Sequence, residues 1–197
     1  MASSSNIRKK IINQYDVAFK AVDHMFDETE AKQELNLPPI ELSLYLARQK
    51  SLSLNKKFKD HIILGCDQIC NLSGKIFSKP ITVDQAKLNL SELSGKTHQL
   101  IGSYSFTKNN EILFEDTLIT NMTMKNLSKS EINNYVATDL PLTSCGSYMF
   151  EKNGYNLFSE VEGSLEAING LPFCLLYTSD AADEGLGVDL GGRRIIK

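Results

Sequence analysis

The sequence predicts an α/β domain in which a mixed sheet is flanked by helices. Helical and strand patterns alternate along the 197 residues, which is typical of this class. A composition of 42% hydrophobic and 23% charged residues is that of a soluble, globular chain with a real core. Neither an internal repeat nor a low-complexity linker interrupts the pattern, so we predict a single domain.

Turn and helix-start residues predict the first elements. The Ser/Asn-rich opening of the chain is predicted to be a loop that enters a helix carrying Ile11. Pro38–Pro39 mark the start of a helix over Ile40–Leu54, because proline fits the first helical turn. The apolar run His61–Gly65 predicts a strand, and Ser73–Gly74 predicts the turn of a hairpin that follows it.

Two capping boxes predict helices in the second half. In Thr82–Gln85 and Ser128–Glu131, a threonine or serine is followed three residues later by Gln or Glu. The first box opens a helix that ends at Gly95, and the second opens a helix carrying Tyr135. The other predicted elements are strands over Gln99–Thr107, Thr117–Met124 and Leu157–Val161, and a loop at Gly170–Pro172 that should start another helix.

Composition and spacing exclude several function classes. A net charge of −3 gives no basic surface for nucleic acid. No apolar run approaches the ~18 residues that would cross a membrane, and no signal-peptide core is present, so we expect a cytoplasmic protein. Cys66, Cys70 and Cys145 are predicted to be free thiols, and the three widely spaced histidines make a zinc site improbable.

The C-terminal residues 174–197 are set apart from the fold. They resemble the in-frame translation of a DNA sequencing-library adapter, and a natural Gly-rich tail is the alternative. We therefore exclude them from fold prediction. The domain is predicted to span residues 1–173.

A carboxylate and a lysine are placed for phosphate chemistry. Asp67 lies two residues after the end of the predicted strand His61–Gly65, and Lys79 follows the predicted hairpin. A carboxylate can hold a metal ion or take a proton, and a lysine can neutralise charge on an oxyanion. An acid at a strand end is also a common turn residue or helix cap, and this motif alone leaves that alternative open.

Three further features have both an ordinary and a functional interpretation. The loop Ala2–Ser5 with Arg8 is either an anion site or a solvated helix cap. Glu28 belongs either to a site or to a surface acidic pair with Asp27. Lys50 lies late in a predicted helix, where its charge is favourable whatever its function. Their order along the chain, together with Asp67 and Lys79, favours function.

The motifs form an ordered series that resembles a known family. In chain order they are a Ser-rich loop with Arg8, Asp27-Glu28, Leu46-Ala47-x-x-Lys50, Gly65-x-Asp67-Gln68, Lys79-Pro80, Leu93-Ser94-Gly95-x-x-His98 and Gly170-Leu171-Pro172. The series, together with Cys145-Gly146-Ser147-Tyr148, resembles the Maf family of nucleoside triphosphate pyrophosphatases over residues 2–173. The resemblance implies a long, twisted mixed sheet and a nucleotide cleft between two lobes. It also implies hydrolysis between the α- and β-phosphates to a nucleoside monophosphate and pyrophosphate, with a divalent metal, Mg²⁺ or Mn²⁺.

The resemblance implies roles for single residues. Asp67 would activate water or bind the metal, and Glu28 would be the second carboxylate of the metal. Lys79 would stabilise charge on the phosphates, while Arg8 and Lys50 grip the triphosphate. The remaining implied substrate contacts are Ser3, Ser5 and, at the cleft wall, Gln68.

The chain departs from the family pattern at several places. Ile7 replaces one arginine of the usual Ser-Pro-Arg-Arg, which predicts a weaker grip on the triphosphate or a different substrate. The family's first strand is expected to be shortened at Met1, and its last helix to be replaced by residues 174–197. The stretches around Cys66 and Cys145 are closer to the branch acting on methylated purine triphosphates, such as 7-methyl-GTP, than to the pyrimidine branch. Either branch implies house-cleaning of non-standard nucleotides, and the family suggests a homodimer.

Two other classes of function stay open at this stage. A catalytically weak, nucleotide-binding regulator linked to cell division is favoured by Ile7, but Asp67, Glu28 and Lys79 count against it. A structural module without a ligand would require all seven motifs to be coincidental.

Overall fold

The computed structural model describes residues 1–173, apart from the side chains of Thr29 and Gln33. Residues 174–197 and the helix expected after Gly170–Pro172 lie outside this part. The helices are α1 Asn6–Ile12, α2 Glu28–Glu34, α3 Pro39–Leu52, α4 Val83–Leu93, α5 Lys129–Asp139 and α6 Leu165–Ile168. The strands are β1 Ile63–Leu72, β2 Lys75–Phe77, β3 Thr97–Lys108, β4 Glu111–Met124 and β5 Phe158–Glu162, with short 3-10 turns at Cys145–Ser147 and Asn153–Leu157. The predicted α/β fold with a helix-flanked sheet is confirmed.

The five strands form one sheet in the order β2-β1-β3-β4-β5, and neighbouring strands are antiparallel. The turns Ser73–Gly74 and Asn109–Asn110 have positive φ at both residues, which is the geometry of a tight hairpin. These two hairpins fix the β1–β2 and β3–β4 pairs as antiparallel. In the described part of the chain, the parallel component of the predicted mixed sheet consists of single bridges from Ala2 to Val22 and Gly65.

The two predicted capping boxes form to different extents. The Glu131 amide donates to Ser128 Oγ, and the Ser128 amide donates back to Glu131 Oε2, so this box is complete. Thr82 Oγ1 accepts from the Gln85 amide, but the Gln85 side chain donates to Asn89 Oδ1 instead of returning to the cap. In this box, the hydrogen bond from the Thr82 amide to the Gln85 side chain is therefore replaced by a side-chain contact within α4.

Strand β1 is longer than predicted, and Asp67 lies in its middle. Asp67 pairs with Ser103 of β3, so the prediction that this acid leaves the end of a strand is wrong, and it is neither a turn residue nor a helix cap. The sequence hides this because Asp67, Gln68 and Asn71 interrupt the apolar run. All three are tolerated in the strand because their side chains form hydrogen bonds or ion pairs.

Helix α3 packs directly on the sheet. Leu42 and Leu46 of α3 are buried against Ile69 of β1 and Ile101 of β3. A second core cluster joins α4 and α5 to the far strands through the following residues: Leu90, Leu93, Met122, Met124, Ile132 and Val136. The thiols of Cys66, Cys70 and Cys145 are free, as predicted. Among residues 1–173 we find no helix with the length and hydropathy to cross a bilayer.

Candidate active site

A cleft of about 920 Å³ contains every residue that the sequence singled out for chemistry. Its lining comes from the N-terminal loop and α1, from α2, α3 and β1, from the loop after β2, and from residues 142–152. The predicted site residues on this lining are Ser3, Ser5, Arg8, Glu28, Lys50, Asp67, Gln68 and Lys79. The fold thus brings together side chains spread over the first half of the chain.

The centre of the cleft is an ammonium group held between two carboxylates. Lys50 Nζ lies 2.6 Å from Asp67 Oδ1 and 3.0 Å from Glu28 Oε1. The Lys50 and Asp67 side chains are only 7% and 6% exposed, whereas Glu28 is 24% exposed. Because Lys50 is buried against Asp67, a favourable interaction with the helix dipole does not by itself explain its position.

Glu28, which begins α2, is kept ionised by its neighbours. Burial raises the pKa of Glu28, but hydrogen bonds from His24 and Lys50 and the charges of Lys50 and Lys32 outweigh it. Its pKa therefore lies far below the usual range. Oε1 is 2.9 Å from His24 Nε2, and Oε2 is 3.2 Å from Lys32 Nζ.

One oxygen of the site has capacity left for a ligand. Asp67 Oδ2 is buried and has no hydrogen-bond partner among residues 1–173, although Oδ1 is held by Lys50. An unpartnered buried carboxylate oxygen is costly, and such atoms are often reserved for function. Because Oδ2 is covered, the carboxyl group must rotate to present it to a ligand in the cleft.

The residues present fit a divalent cation that arrives with a phosphate ligand. Mg²⁺ is usually bound through one or two carboxylates together with substrate phosphates and water. Asp67 and Glu28 are donors of this kind. Within residues 1–173 no group of three or more His, Cys, Asp or Glu side chains is placed to hold a metal, so ligand oxygens would have to complete the shell.

The Ser-rich loop both caps α1 and borders the cleft. Ser5 Oγ accepts from the Arg8 amide at 3.4 Å, and Ser3 Oγ accepts from the Ser5 amide at 3.2 Å. The Arg8 guanidinium donates to the carbonyls of Gly170 and Cys66, at 3.0 and 3.1 Å. The interpretation as a helix cap is therefore right for Ser5, while Arg8 is fixed at the cleft by two backbone carbonyls.

Gln68 ties the cleft wall to the C-terminal part of the domain. Its Nε2 donates to the carbonyls of Ala167 and Ile168, at 3.1 and 3.0 Å, and its Oε1 accepts a weak bond from the Cys145 thiol at 3.9 Å. Both amide hydrogens of Gln68 are thus used inside the protein. It lines the cleft as predicted, and its contacts hold three segments together.

Lys79 and Ile7 lie on the lining with different surroundings. The Lys79 side chain is exposed, and within the described residues it forms no hydrogen bond or ion pair, so its charge is available to a ligand. Burial raises the pKa of the Cys145 thiol to about 11, as does the charge of Asp67, while Arg8 and Lys79 act in the opposite direction. Ile7 is half-buried and packs beside the core cluster of α1.

Two neighbours of Glu28, Lys32 and His24, were missed by the sequence reasoning. Lys32 could have been found, because Glu28 and Lys32 are four residues apart in α2 and share a face. His24 could not have been found in that way, because it precedes the helix and its contact depends on the loop, where Nδ1 also lies 3.1 Å from the Phe26 carbonyl.

With this geometry established, comparison with known proteins places the chain. The sequence profile of the family described as Maf-like protein matches residues 1–179. The chain belongs to the Maf-like family. The resemblance stated from the motifs is thereby confirmed, and the profile match extends past the domain boundary predicted at Phe173.

Curated relatives of this Maf-like protein carry names of nucleotide hydrolases. The chain is similar to a protein of Pelagibacter ubique named nucleoside triphosphate pyrophosphatase, with 36% identity over 177 residues, 87% of this chain and 91% of the relative. A protein of Legionella pneumophila with the same name is 36% identical over 91% of this chain and 90% of its own length. A protein of Bartonella quintana named 7-methyl-GTP pyrophosphatase is 34% identical over 87% and 88%, respectively.

Proposed function

We propose that this Maf-like protein hydrolyses nucleoside triphosphates between the α- and β-phosphates, releasing a nucleoside monophosphate and pyrophosphate. The observation that carries the proposal is the buried pair Lys50–Asp67 beside Glu28, together with Asp67 Oδ2, which has no hydrogen-bond partner among the residues that the structure describes. The names of the curated relatives support the same reaction. A site that needed only to bind phosphate would have no use for two carboxylates.

The reaction follows from the chemistry of these side chains. Water attacks the α-phosphorus, the bond to the oxygen bridging the α- and β-phosphates breaks, and its electron pair leaves with pyrophosphate. After the carboxyl group rotates, an oxygen of Asp67 that faces the cleft takes the proton of the attacking water. The cationic groups of Lys79 and Arg8 offset charge on the phosphate oxygens. Ser3 and Ser5 add hydroxyl or backbone contacts to phosphate.

A divalent cation, Mg²⁺ or Mn²⁺, belongs to this proposal. Asp67 and Glu28 would hold it, and it would neutralise phosphate charge and orient the reacting groups. Lys50 pairs with both carboxylates, and His24 and Lys32 hold Glu28 in place beside the cleft.

The finer assignments are proposals of the same kind. We favour a methylated purine triphosphate as substrate over a pyrimidine triphosphate, supported by the stretches around Cys66 and Cys145 and by the name of the Bartonella quintana relative. The role would be house-cleaning of non-standard nucleotides in the cytoplasm, where triphosphate pools are found. A homodimer is expected from the family and is tested by sedimentation.

Pyrophosphate release from a nucleotide panel tests the reaction. The panel is dTTP, UTP, GTP and 7-methyl-GTP, each with Mg²⁺ and with Mn²⁺. Asp67→Asn should lower kcat by at least about a thousandfold, because the proton acceptor is lost. Asp116→Asn is the matched control, since Asp116 is an exposed acid of β4 that bonds Tyr104 away from the cleft. Equal activity of the two variants would contradict the proposal.

A nucleotide-binding regulator without turnover is the second candidate, and Ile7 is the observation in its favour. Of the described residues on the cleft lining, one is an arginine where the family pattern has two, so grip on the triphosphate is reduced. If the wild type binds nucleotide in calorimetry and releases no pyrophosphate, this candidate replaces the first.

A further inference from the structure

One wall of the cleft is held in place by buried polar groups that have no role in the proposed chemistry. This wall, Cys145–Met149, contributes Cys145, Tyr148 and Met149 to the lining. The sequence motifs ending in His98 and Tyr148 meet here, and neither supplies a group to the reaction described above. Their contacts point to a separate role.

His98 of β3 fixes the orientation of Tyr148. His98 is 1% exposed and Tyr148 is 4% exposed, and His98 Nε2 lies 2.8 Å from the Tyr148 hydroxyl. The ring of Tyr148 also packs edge-on against Phe158, with 4.9 Å between centroids. His98 Nδ1 is buried without a partner in the described part of the chain, so this pair costs stability compared with an apolar pair of the same shape.

Helix α4 holds the turn that precedes Tyr148. Gly146 and Ser147 both have positive φ, 69° and 63°, and Ser147 is fully buried. A non-glycine residue is strained in this conformation, so the surroundings must hold it. Asn89 Nδ2 donates to Ser147 Oγ at 2.8 Å, and Gln85 Nε2 donates to Asn89 Oδ1 at 2.8 Å.

Helix α5 makes the third hydrogen-bonding contact that holds the wall. The Met149 amide donates to the Tyr135 hydroxyl at 2.9 Å, in the buried interior. Asn89, His98 and Tyr135 thus come from α4, β3 and α5 and converge on five consecutive residues. None of the three belongs to the lining of the cleft, so any effect on a ligand must pass through the wall.

We propose that Asn89, His98 and Tyr135 are positioning residues that fix the wall Cys145–Met149 and thereby determine which nucleobase the cleft accepts. The proposal rests on the proposed function. The wall and its continuation supply apolar and aromatic surface through Leu142, Tyr148, Met149 and Phe150, which suits a stacked base. Lys79 and Arg8, the cations proposed for the phosphates, come from other segments, while Lys152 lies on the lining farther along the same one. A base pocket discriminates by shape, so a small displacement of its wall changes selectivity.

The test is the ratio of kcat/KM for 7-methyl-GTP to that for dTTP, with the ratio of dissociation constants measured beside it by calorimetry. His98→Phe should change both ratios by at least about tenfold through KM and Kd, while kcat for the better substrate stays within about twofold. His98→Gln, which can still bond the Tyr148 hydroxyl, should recover part of the loss.

Thr107→Val is the matched control. It removes a buried hydrogen bond, 2.7 Å from Asn55 Nδ2, on the same strand but away from the cleft wall. We expect Thr107→Val to lose about as much stability as His98→Phe and to leave both substrate ratios unchanged. If His98 only stabilised the fold, His98→Phe and Thr107→Val would both leave the two ratios unchanged.

Tyr148→Phe carries the test if His98→Phe does not fold, because it keeps the ring and removes only the hydroxyl. Ratios within about twofold of the wild type in a folded variant would overturn the proposal. A wild type that binds nucleotide without hydrolysis would overturn the proposed function, yet the dissociation constants would still decide the role of the wall. A wild type that binds neither nucleotide would overturn both.

Discussion

Removing the Lys50 ammonium should destabilise the protein much more than removing an exposed cation of the same helix. Lys50→Met leaves Asp67 and Glu28 close together without the charge between them. Deleting one partner of a buried ion pair costs about 3–5 kcal/mol, and the Lys50–Asp67 pair meets that description. Glu28 is a quarter exposed and keeps His24 and Lys32, so it adds little. We therefore expect Lys50→Met to lower the free energy of unfolding by about 3 kcal/mol, which is a large part of a net stability of about 5–15 kcal/mol.

Urea unfolding of Lys50→Met, Asp67→Asn, their double variant and Arg48→Met, each beside the wild type, measures this. Arg48→Met is the control on α3, because Arg48 is 36% exposed and its pair with Glu115 should be worth no more than about 1 kcal/mol. The double variant Lys50→Met with Asp67→Asn removes both charges and should recover at least about half of the loss. Mg²⁺ should raise the urea midpoint of Lys50→Met more than that of the wild type, since a cation can replace the ammonium. A loss below about 1 kcal/mol, or additive losses in the double variant, would refute this reasoning.

Three further outcomes are expected. Gly65→Ala should lower the free energy of unfolding, measured in urea, by about 2–3 kcal/mol, because the added Cβ would lie 2.1 Å from the Ala47 carbonyl oxygen. Gly102→Ala is the control: the atom nearest to its added Cβ is 4.0 Å away, so stability should change by less than about 1 kcal/mol. Burial lowers the pKa of His98 to about 4. The unfolded chain therefore takes up this proton first as pH falls, and about 3 kcal/mol of stability should disappear between pH 6.5 and 4 in the wild type but not in His98→Phe. Ile7→Arg should lower KM for nucleoside triphosphates about threefold to tenfold by adding a cation to the lining, and an unchanged KM would argue against a phosphate site there.

Local signals predicted most of the elements, but they missed the short helices α2 and α6 and the first six residues of β4. Contacts between distant residues account for the unexpected length of β1. The capping box at Ser128 and the hairpin turn at Ser73–Gly74 each depend on residues within three positions. Strand β1 was predicted too short because Asp67 and Gln68 look like the end of an apolar run. Their partners are Lys50, 17 residues away, and carbonyls about a hundred residues away.

The sequence indicated which residues lie together in the cleft, but not how they are arranged there. Motif order, through the family resemblance, led to eight residues that all lie on the lining of one cleft. It could not show that Lys50 stands between the two carboxylates, nor that Gln68 uses both amide hydrogens inside the protein. Those facts depend on how α3 and α6 pack against β1, which no local pattern encodes.

Gly65 shows how a backbone contact sets the charge balance of the site. Without a side chain at this position, the backbone of α3 packs so closely on β1 that an added Cβ would overlap the Ala47 carbonyl. Ala47 and Lys50 are three residues apart on one face of α3, and Gly65 and Asp67 are two residues apart on one face of β1. The same close packing therefore brings the Lys50 ammonium within 2.6 Å of Asp67. A wider spacing between α3 and β1 would leave a buried carboxylate without its counter-charge, so the glycine is needed for the Lys50–Asp67 ion pair as well as for packing.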